Sequence, residues 1–476
     1  MTTVYARILI AAILVFGGTA AVQAGEASGL RAGAAKSNAT PWLGVSIAGH
    51  MSDRIATHIH DELHARCLVL DNGQTKAAIA LVDSCMVPRD VFDAAKAEAA
   101  QHTGIPAAHM VMAATHTHTG PCSTPVFQSD PDEEYKRFLA SRIADGIRRA
   151  DNNLQPARFA RGSCRVPGEV FNRRWYMKAG TVPPNPFGDT SDTVKMNPPR
   201  ASEGLIKPEG PTDPEVAFLA FETPEGKPIA LLANYSLHYV GGAGGGHISA
   251  DYFGYFARYM EKMLNAADCQ APFVAMLSNG TSGNINNIDF TKQSERKAQY
   301  EQMRHVARKV AEAVHAAYPG LNWQDAAVLD AAQREISLGV RLPAPGEVEE
   351  AKAVVAAAEG PQMRGLKEIY ARETVLLSAY PDTVDLILQV LRVGDTAIAA
   401  IPCEVFVEIG LAIKEATPLK DAFTISLANG YNGYLPTAEA HTHGGYETWR
   451  ARSSYLEEQA ANKMLNVIRE LMARVN

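Results

Sequence analysis

The sequence predicts an α/β fold, a mixed α+β layered domain with mixed β-sheets. Two observations carry that expectation. Short apolar runs of the buried-strand type recur along the whole 476-residue chain, and stripes of helical period lie between many of them. Strands interspersed with helices build layers around a shared core. No sequence repeat and no heptad pattern is visible, and no Pro/Ser-rich linker divides the chain. Residues 41–476 are therefore read as one domain.

Taken in order, the first 24 residues read as a secretory signal. Arg7 supplies the positive charge, Ile8 to Val15 the apolar segment, and Val22-Gln23-Ala24 a small-residue cleavage site before Gly25. The apolar segment is too short to span a bilayer, so the expectation is an exported, periplasmic or secreted protein with at most transient membrane-surface contact. Residues 25–40 are small and polar and read as a flexible leader, with regular structure starting near Trp42. Strands are expected at Cys67–Leu70, Ala77–Val82, Met110–Ala114, Val216–Phe221, Ile229–Ala233, Phe273–Leu277, Leu386–Val393 and Ala397–Ile401. Helices are expected over Tyr135–Ala150, between Ser294 and Tyr318, where Val306, Val310 and Val314 share one face, and from Tyr455 to Val475. Lys178–Pro214 reads as a long loop of the kind that forms a lid or pocket wall. Gly346–Tyr370 reads as a solvated helical insertion.

Composition narrows the function classes. A formal net charge of −7 and the lack of a basic run argue against nucleic acid as a partner. The six cysteines are scattered with no CxxC, which excludes zinc-ribbon and thioredoxin-like motifs. Five glycines lie between Gly241 and Gly246, but no GK[ST] follows, so a phosphate-binding P-loop is rejected.

The most informative segment is Val111-Met-Ala-Ala-Thr-His-Thr-His-Thr-Gly-Pro121, an apolar strand that ends in His116 and His118. Strand alternation would put both imidazoles on one side, and neutral imidazole is a common zinc ligand. A pair of surface histidines is the bland alternative, and the apolar run before them disfavours it. His238 also follows an apolar run and, by itself, is as consistent with a core histidine as with a ligand. Asp251 has the position of a helix cap. Ser282 lies in a polar turn without the Gly-x-Ser-x-Gly elbow, so it reads as a turn residue. Glu404 ends an apolar strand where a helix begins, and a helix dipole alone would account for it. Tyr431 and Tyr434 stand among Gly and Asn, a setting unlike pure core. His441 and His443 read as exposed or near substrate, and His58 and His60 as supports of the fold.

Together these blocks resemble the neutral/alkaline (non-lysosomal) ceramidase family, specifically its N-terminal catalytic domain. Ile59-His60 through Arg66, Asp83-Ser-Cys-Met86, Thr115 to Pro121, Asn172-Arg173, His238 with Ile248-Ser-Ala-Asp251, Pro402-Cys-Glu404, Tyr431 to Thr437 and Tyr446-Glu447 occur in the family's order. Thr115 to Pro121 is the most specific of them. The resemblance implies a Zn2+ cofactor held by His116, His238, Glu404 and Tyr434, with His118, Arg173 and Tyr446 around the scissile carbonyl. It implies hydrolysis of an amide in a small-molecule or lipid N-acyl substrate by zinc-activated water, giving a carboxylic acid and an amine.

Three departures accompany the resemblance. Asn286 stands where the family has a serine, Arg174-Trp175 replaces Ser-Pro after Asn172-Arg173, and the family's C-terminal β-sandwich is expected to be absent. Two other readings are weighed against it. A binuclear amidohydrolase on a (β/α)8 barrel also carries His-x-His at a strand end. An exported binding protein that has lost turnover would accommodate Asn286 and Arg174.

Overall fold

The computed structural model describes residues 29–267, 269 and 271–476. The expected signal segment lies outside the described residues. Three sheets dominate, and each is built the same way. In the first, β1 (Arg31–Asn38), β2 (His64–Asp71) and β3 (Lys76–Val82) pair antiparallel, and β4 (Met110–Ala114) joins β3 in parallel. A parallel neighbour requires a crossover, supplied by α1 (Arg89–Thr103); α2 (Glu133–Asn152) follows β4.

The second sheet repeats the scheme. The strands β5 (Arg158–Arg165), β6 (Glu215–Glu222) and β7 (Pro228–Tyr235) pair antiparallel, and β8 (Val274–Asn279) runs parallel to β7. Its helices are α3 (Asp251–Met263), in the crossover, and α4 (Glu301–Ala317). In the third, β9 (Leu329–Gly339), β10 (Thr383–Val393) and β11 (Thr396–Ile401) are antiparallel, and β12 (Asp421–Ser426) is parallel to β11. A helical pair, α5 (Pro345–Ala356) and α6 (Gly365–Leu377), is inserted between β9 and β10. The crossover is α7 (Val407–Ala416), and α8 (Ala460–Arg474) closes the unit.

The chain is thus three β-β-β-α-β-α units, a structural repeat that the sequence does not display. Backbone topology tolerates any residues of suitable polarity, so three units can share a plan without sharing letters. Each sheet presents alternate side chains to two cores. Val111 and Ala113 of β4, Ala230 and Leu232 of β7, and Ile398 and Ala400 of β11 meet in a common central core. Their neighbours face outward onto each unit's own helices: Met110 and Met112 pack with α1 and α2, Leu231 and Ala233 with α3 and α4, Ala397 and Ala399 with α7 and α8. These sheets are mixed and antiparallel in part, and the described residues form no closed barrel, which removes the (β/α)8 reading.

The expected strands all form, with ends shifted by a few residues, and Met110–Ala114 forms as read. Four expectations need correction. The segment Arg31–Asn38, read as part of a flexible leader, is β1, in full register with β2. Its small residues are what a closely covered strand needs: Ala32, Ala34 and Ala35 are buried, and a Cβ on Gly33 would lie 2.2 Å from the Ala150 carbonyl of α2. Lys178–Pro214 is not structureless, because Val194–Met196 and Leu205–Pro208 pair on either side of Arg174–Met177. The insertion is only half solvated, since α6 buries Ile369, Tyr370 and Glu373. Asp251 does not sit at the cap position of α3; its carboxylate accepts from the Val240, Gly241 and Tyr252 amides and ties the glycine loop down.

The β1 assignment gives a direct test. Gly33→Val must displace α2 backbone, an overpacking cost of about 1–3 kcal/mol or more. Denaturant unfolding should show that loss, whereas a flexible leader would absorb the side chain with no change in midpoint.

Candidate metal centre

The site lies beyond the carboxyl ends of the six strands of the three parallel pairs, β3/β4, β7/β8 and β11/β12. In open α/β sheets this edge is where ligands bind. The β4 end delivers His116 and His118, the β7 end His238, the β11 end Glu404 and the β12 end Tyr434. Between Glu404 and Tyr434 there is a two-residue parallel ladder in which the two are direct partners.

His116 and His118 meet for a reason other than strand alternation. The strand stops at Ala114, and His116 takes a left-handed conformation with φ +75°. Positive φ is uncommon for any residue but Gly, although His adopts it more readily than most, and such conformations recur at functional sites. Backbone contacts hold it in place: the Thr115 amide donates to the Val82 carbonyl and the His116 amide to Ser84. That loop is itself anchored by Arg66, whose guanidinium reaches both oxygens of buried Asp83 at 2.6 Å.

The tautomers of the two proposed histidine ligands follow from their partners. His116 Nδ1 lies 2.7 Å from the Cys85 carbonyl and His238 Nδ1 3.1 Å from the Ser282 carbonyl. A carbonyl only accepts, so both Nδ1 atoms carry a proton, and in the neutral imidazole tautomer this leaves the Nε2 lone pair free for a metal. Those Nε2 atoms are 3.0 Å apart. Glu404 Oε2 is 3.2 Å from the first and 3.9 Å from the second. It is buried without a hydrogen-bond partner, while Oε1 accepts from the Tyr431 hydroxyl at 3.1 Å. The ligand atoms of His116, His238 and Glu404 thus lie close enough to share one metal ion. Two imidazole lone pairs and a carboxylate oxygen facing one another in a dry pocket repel unless a cation lies between them. Such a donor set suits zinc, which takes N and O ligands.

Charge in the pocket reinforces this. Burial opposes ionisation of Glu404, but the polar and charged groups around it, the Arg173 guanidinium among them, outweigh that, so its pKa lies below the usual carboxylate value. Burial, and then Glu404, push the Tyr434 phenol well above its ordinary range. His118 is driven strongly toward the neutral form, above all by burial. Its Nε2 is 3.2 Å from His116 Nε2, its ring stacks on Tyr239 at 3.7 Å, and its flank is covered by Gly49, where a Cβ would collide with the ring at 2.5 Å.

Arg173 reaches the same point. Its NH1 is 3.5 Å from His238 Nε2, NH2 donates to the Gly283 carbonyl at 2.7 Å, and Nε donates to Glu447 at 2.9 Å. The Tyr446 ring is 5.6 Å from that of Tyr434. A cavity of about 30 Å³ remains, bounded by His116, His118, Glu404, Tyr434, Tyr446 and Phe127, room for about one ordered water. The Phe127 wall is fastened by Arg452, which donates to the Phe127 carbonyl at 2.9 Å and is paired with buried Glu373.

All seven residues singled out for the site, His116, His118, Arg173, His238, Glu404, Tyr434 and Tyr446, therefore converge. Ser282 does not face the cavity; its hydroxyl donates to Asn279 and its carbonyl orients His238. Asn286 is engaged with Asn197 at 2.6 Å and with the Ile288 amide. His443, read as exposed or near substrate, instead pairs with Glu209 at 2.9 Å. Sequence reasoning did not single out Gly49, His50, Tyr239 or the Cys85 carbonyl. His50 lines the cavity, and burial and Arg54 pull its pKa down to about 4. Nothing in the local pattern around these residues distinguishes them, because their roles arise only when distant loops meet.

Comparison with known proteins agrees with the geometry. The family model described as neutral/alkaline non-lysosomal ceramidase, N-terminal, matches residues 31–337, and the chain belongs to that family of hydrolases. Among solved structures it is similar to the neutral ceramidase from Pseudomonas aeruginosa, with a TM-score of 0.72 and 19% identity over 94% of this chain and 74% of that one. It is also similar to a ceramidase complexed with C2, with a TM-score of 0.70 and 18% identity over 93% and 75%. No curated protein sequence matches.

Tyr431→Phe removes the hydrogen bond that orients Glu404. Loss of such a supporting contact typically weakens metal binding roughly 10–100-fold, which competition against a chelator should report. An unchanged metal affinity would show that Glu404 is positioned by its backbone ladder alone.

Proposed function

We propose that this protein is a zinc-dependent hydrolase of the amide bond in an N-acyl lipid of the ceramide class, or a related N-acyl compound, and that it is exported. The observation that carries the reading is Glu404 Oε2, buried without a hydrogen-bond donor and facing the Nε2 atoms of His116 and His238, inside a ceramidase-family fold. The proposed ligands are His116, His238, Glu404 and Tyr434. A nearby cation favours ionised oxygen, which would offset the burial that otherwise keeps the Tyr434 phenol protonated. The chemistry that a bound zinc ion supplies is Lewis-acid polarisation of a carbonyl and activation of water at neutral pH.

The remaining roles belong to the protein's own groups. Arg173 cannot lose its proton in this setting, because Tyr434, Glu447 and Glu404 outweigh its burial. It presents a fixed positive charge to an oxyanion developing beside His238. Tyr446 offers a second donor from the opposite wall. His118, neutral by burial, starts as a proton acceptor; once protonated it can return the proton to the leaving amine nitrogen, which must gain one to depart. Products are a carboxylic acid and an amine. No serine nucleophile is required, and the placements of Ser282 and Asn286 favour direct attack by water.

Dialysis against a chelator should abolish hydrolysis of N-acyl substrates, and zinc should restore it; His116→Ala should lose both metal and turnover. Tyr446→Phe should cost about 2.7–4 kcal/mol of transition-state stabilisation, read as kcat. Ser282→Ala and Asn286→Ala should keep kcat within about tenfold of the parent, since neither sits where a donor to the transition state would act. A trapped acyl-enzyme, or full activity in the metal-free His116→Ala protein, would refute the mechanism. Binding of N-acyl ligands without product from any member of a substrate panel would mark a protein that has kept the pocket and lost turnover.

A further inference from the structure

Arg174 replaces the serine that follows Asn-Arg in the family's block, and it is the largest fully buried side chain among the described residues. A guanidinium with no exposure must satisfy its donors internally. Its NH1 donates to Glu447 Oε2 at 2.8 Å, its NH2 to Glu209 Oε1 at 3.0 Å and to the Gly444 carbonyl at 2.8 Å, and its Nε to Glu209 Oε2. Its guanidinium carbon also lies 5.4 Å from the ring centre of Phe406, two residues after Glu404.

Glu447 is the hinge of this arrangement. It is fully buried, and its two oxygens are divided between neighbouring arginines: Oε1 takes Arg173 Nε at 2.9 Å and Oε2 takes Arg174 NH1. A carboxylate held at one oxygen can still rotate; held at both by guanidiniums it cannot. Glu209 anchors the far side of Arg174 and is paired in turn with His443. The row Arg173–Glu447–Arg174–Glu209 alternates in sign and balances two cations against two anions. Arg174 also fastens the Ala440–Gly444 stretch that leads into Tyr446.

We propose that Arg174 is a positioning residue for the reaction: by locking Glu447 and the loop before Tyr446, it fixes where Arg173 and Tyr446 meet the substrate carbonyl. The proposal rests on the hydrolase reading for its kinetic consequence, but its geometric content stands apart. Lysine cannot substitute, because an ammonium lacks the planar fork that spans two carboxylates and a carbonyl.

Removing Arg174 alone takes from Glu447 and Glu209 the guanidinium they share and leaves each with a single basic partner, and that variant can fail to fold. The informative protein is the double variant Arg174→Met with Glu209→Gln, which deletes one cation and one anion together. It should fold, bind metal at the wild-type stoichiometry and keep KM within about threefold. Its kcat should fall by about 100-fold, the usual effect of an ångström-scale misplacement, and Arg174→Lys should not recover it. A crystal structure of the metal-loaded double variant should show Arg173 released from its contacts with Glu447 and Gly283. Arg173 and Tyr446 found in their original places, or kcat within threefold of the parent, would overturn the proposal. The crystallographic arm decides the geometry even when the wild-type protein hydrolyses no amide tested, and the wild-type assay alone decides the hydrolase reading.

Discussion

Everything at the site depends on the packing of three sheets against one another. Their inner faces share a single core in which small side chains alternate with large ones: Ala32 and Ala34, Ala77, Ala113, Ala217, Ala230 and Ala400 among Leu, Ile, Val and Phe. Interiors pack at crystal-like density, so such a core fixes the relative positions of the elements around it. Because each sheet carries one parallel pair, its two strand ends open on the same edge. Packing the sheets together brings those ends to one place. A Leu→Ala change in that core commonly costs 2–5 kcal/mol, and it would also loosen the distances among the site residues carried by different sheets.

The convergence has an electrostatic cost that shapes the rest of the centre. Strand ends packed this closely exclude water, so every polar group there needs a protein partner or a ligand. The loops meet most of the demand with backbone carbonyls. Cys85 and Ser282 orient the histidines, Gly283 receives Arg173, and Phe127 receives Arg452. Burial raises the thiol of Cys403 and drives that of Cys85 well above its normal range. Glu404 Oε2 and His118 Nδ1 are among the buried polar atoms left without a partner, and Glu404 Oε2 is the one that carries charge and faces two imidazoles. A buried carboxylate oxygen left without a donor is costly, and a cation held there would relieve that cost.

Much of this was legible in the sequence, for identifiable reasons. Buried strands such as Met110–Ala114 advertise themselves by unbroken apolar runs, and a histidine directly after such a run stands out. Glu404 and Tyr434 were weak on residue chemistry alone, since a helix start or a polar loop accounts for each; only the order of blocks raised them. The strand Arg31–Asn38 was hidden because its close contact with α2 requires Gly and Ala, the composition of a disordered leader. The threefold repeat was hidden because each unit keeps only polarity and connectivity. Pairings such as Arg174 with Glu209 and Glu447, or Arg452 with Glu373, join residues tens to hundreds of positions apart, and no local pattern encodes them.

The contrast between the two His-x-His segments shows what a motif needs in order to become a site. His116-Thr-His118 and His441-Thr-His443 have the same letters, yet the first stands at a parallel strand end and the second in a short helix, Ala438–His443. At the strand end, a left-handed turn at His116 folds the chain back so that both rings face inward, with centroids 4.6 Å apart. Such a turn costs of order 1–3 kcal/mol and persists only where surroundings over-determine it; here the Val82, Ser84 and Cys85 carbonyls do so. In the helix, His441 and His443 are two positions apart and diverge, since helical neighbours on one face lie three or four apart. His443 is therefore free to pair with Glu209 at the outer end of the charge row. One pair forms the centre and the other meets the row of charges that supports it, a division set by backbone geometry, not by residue type.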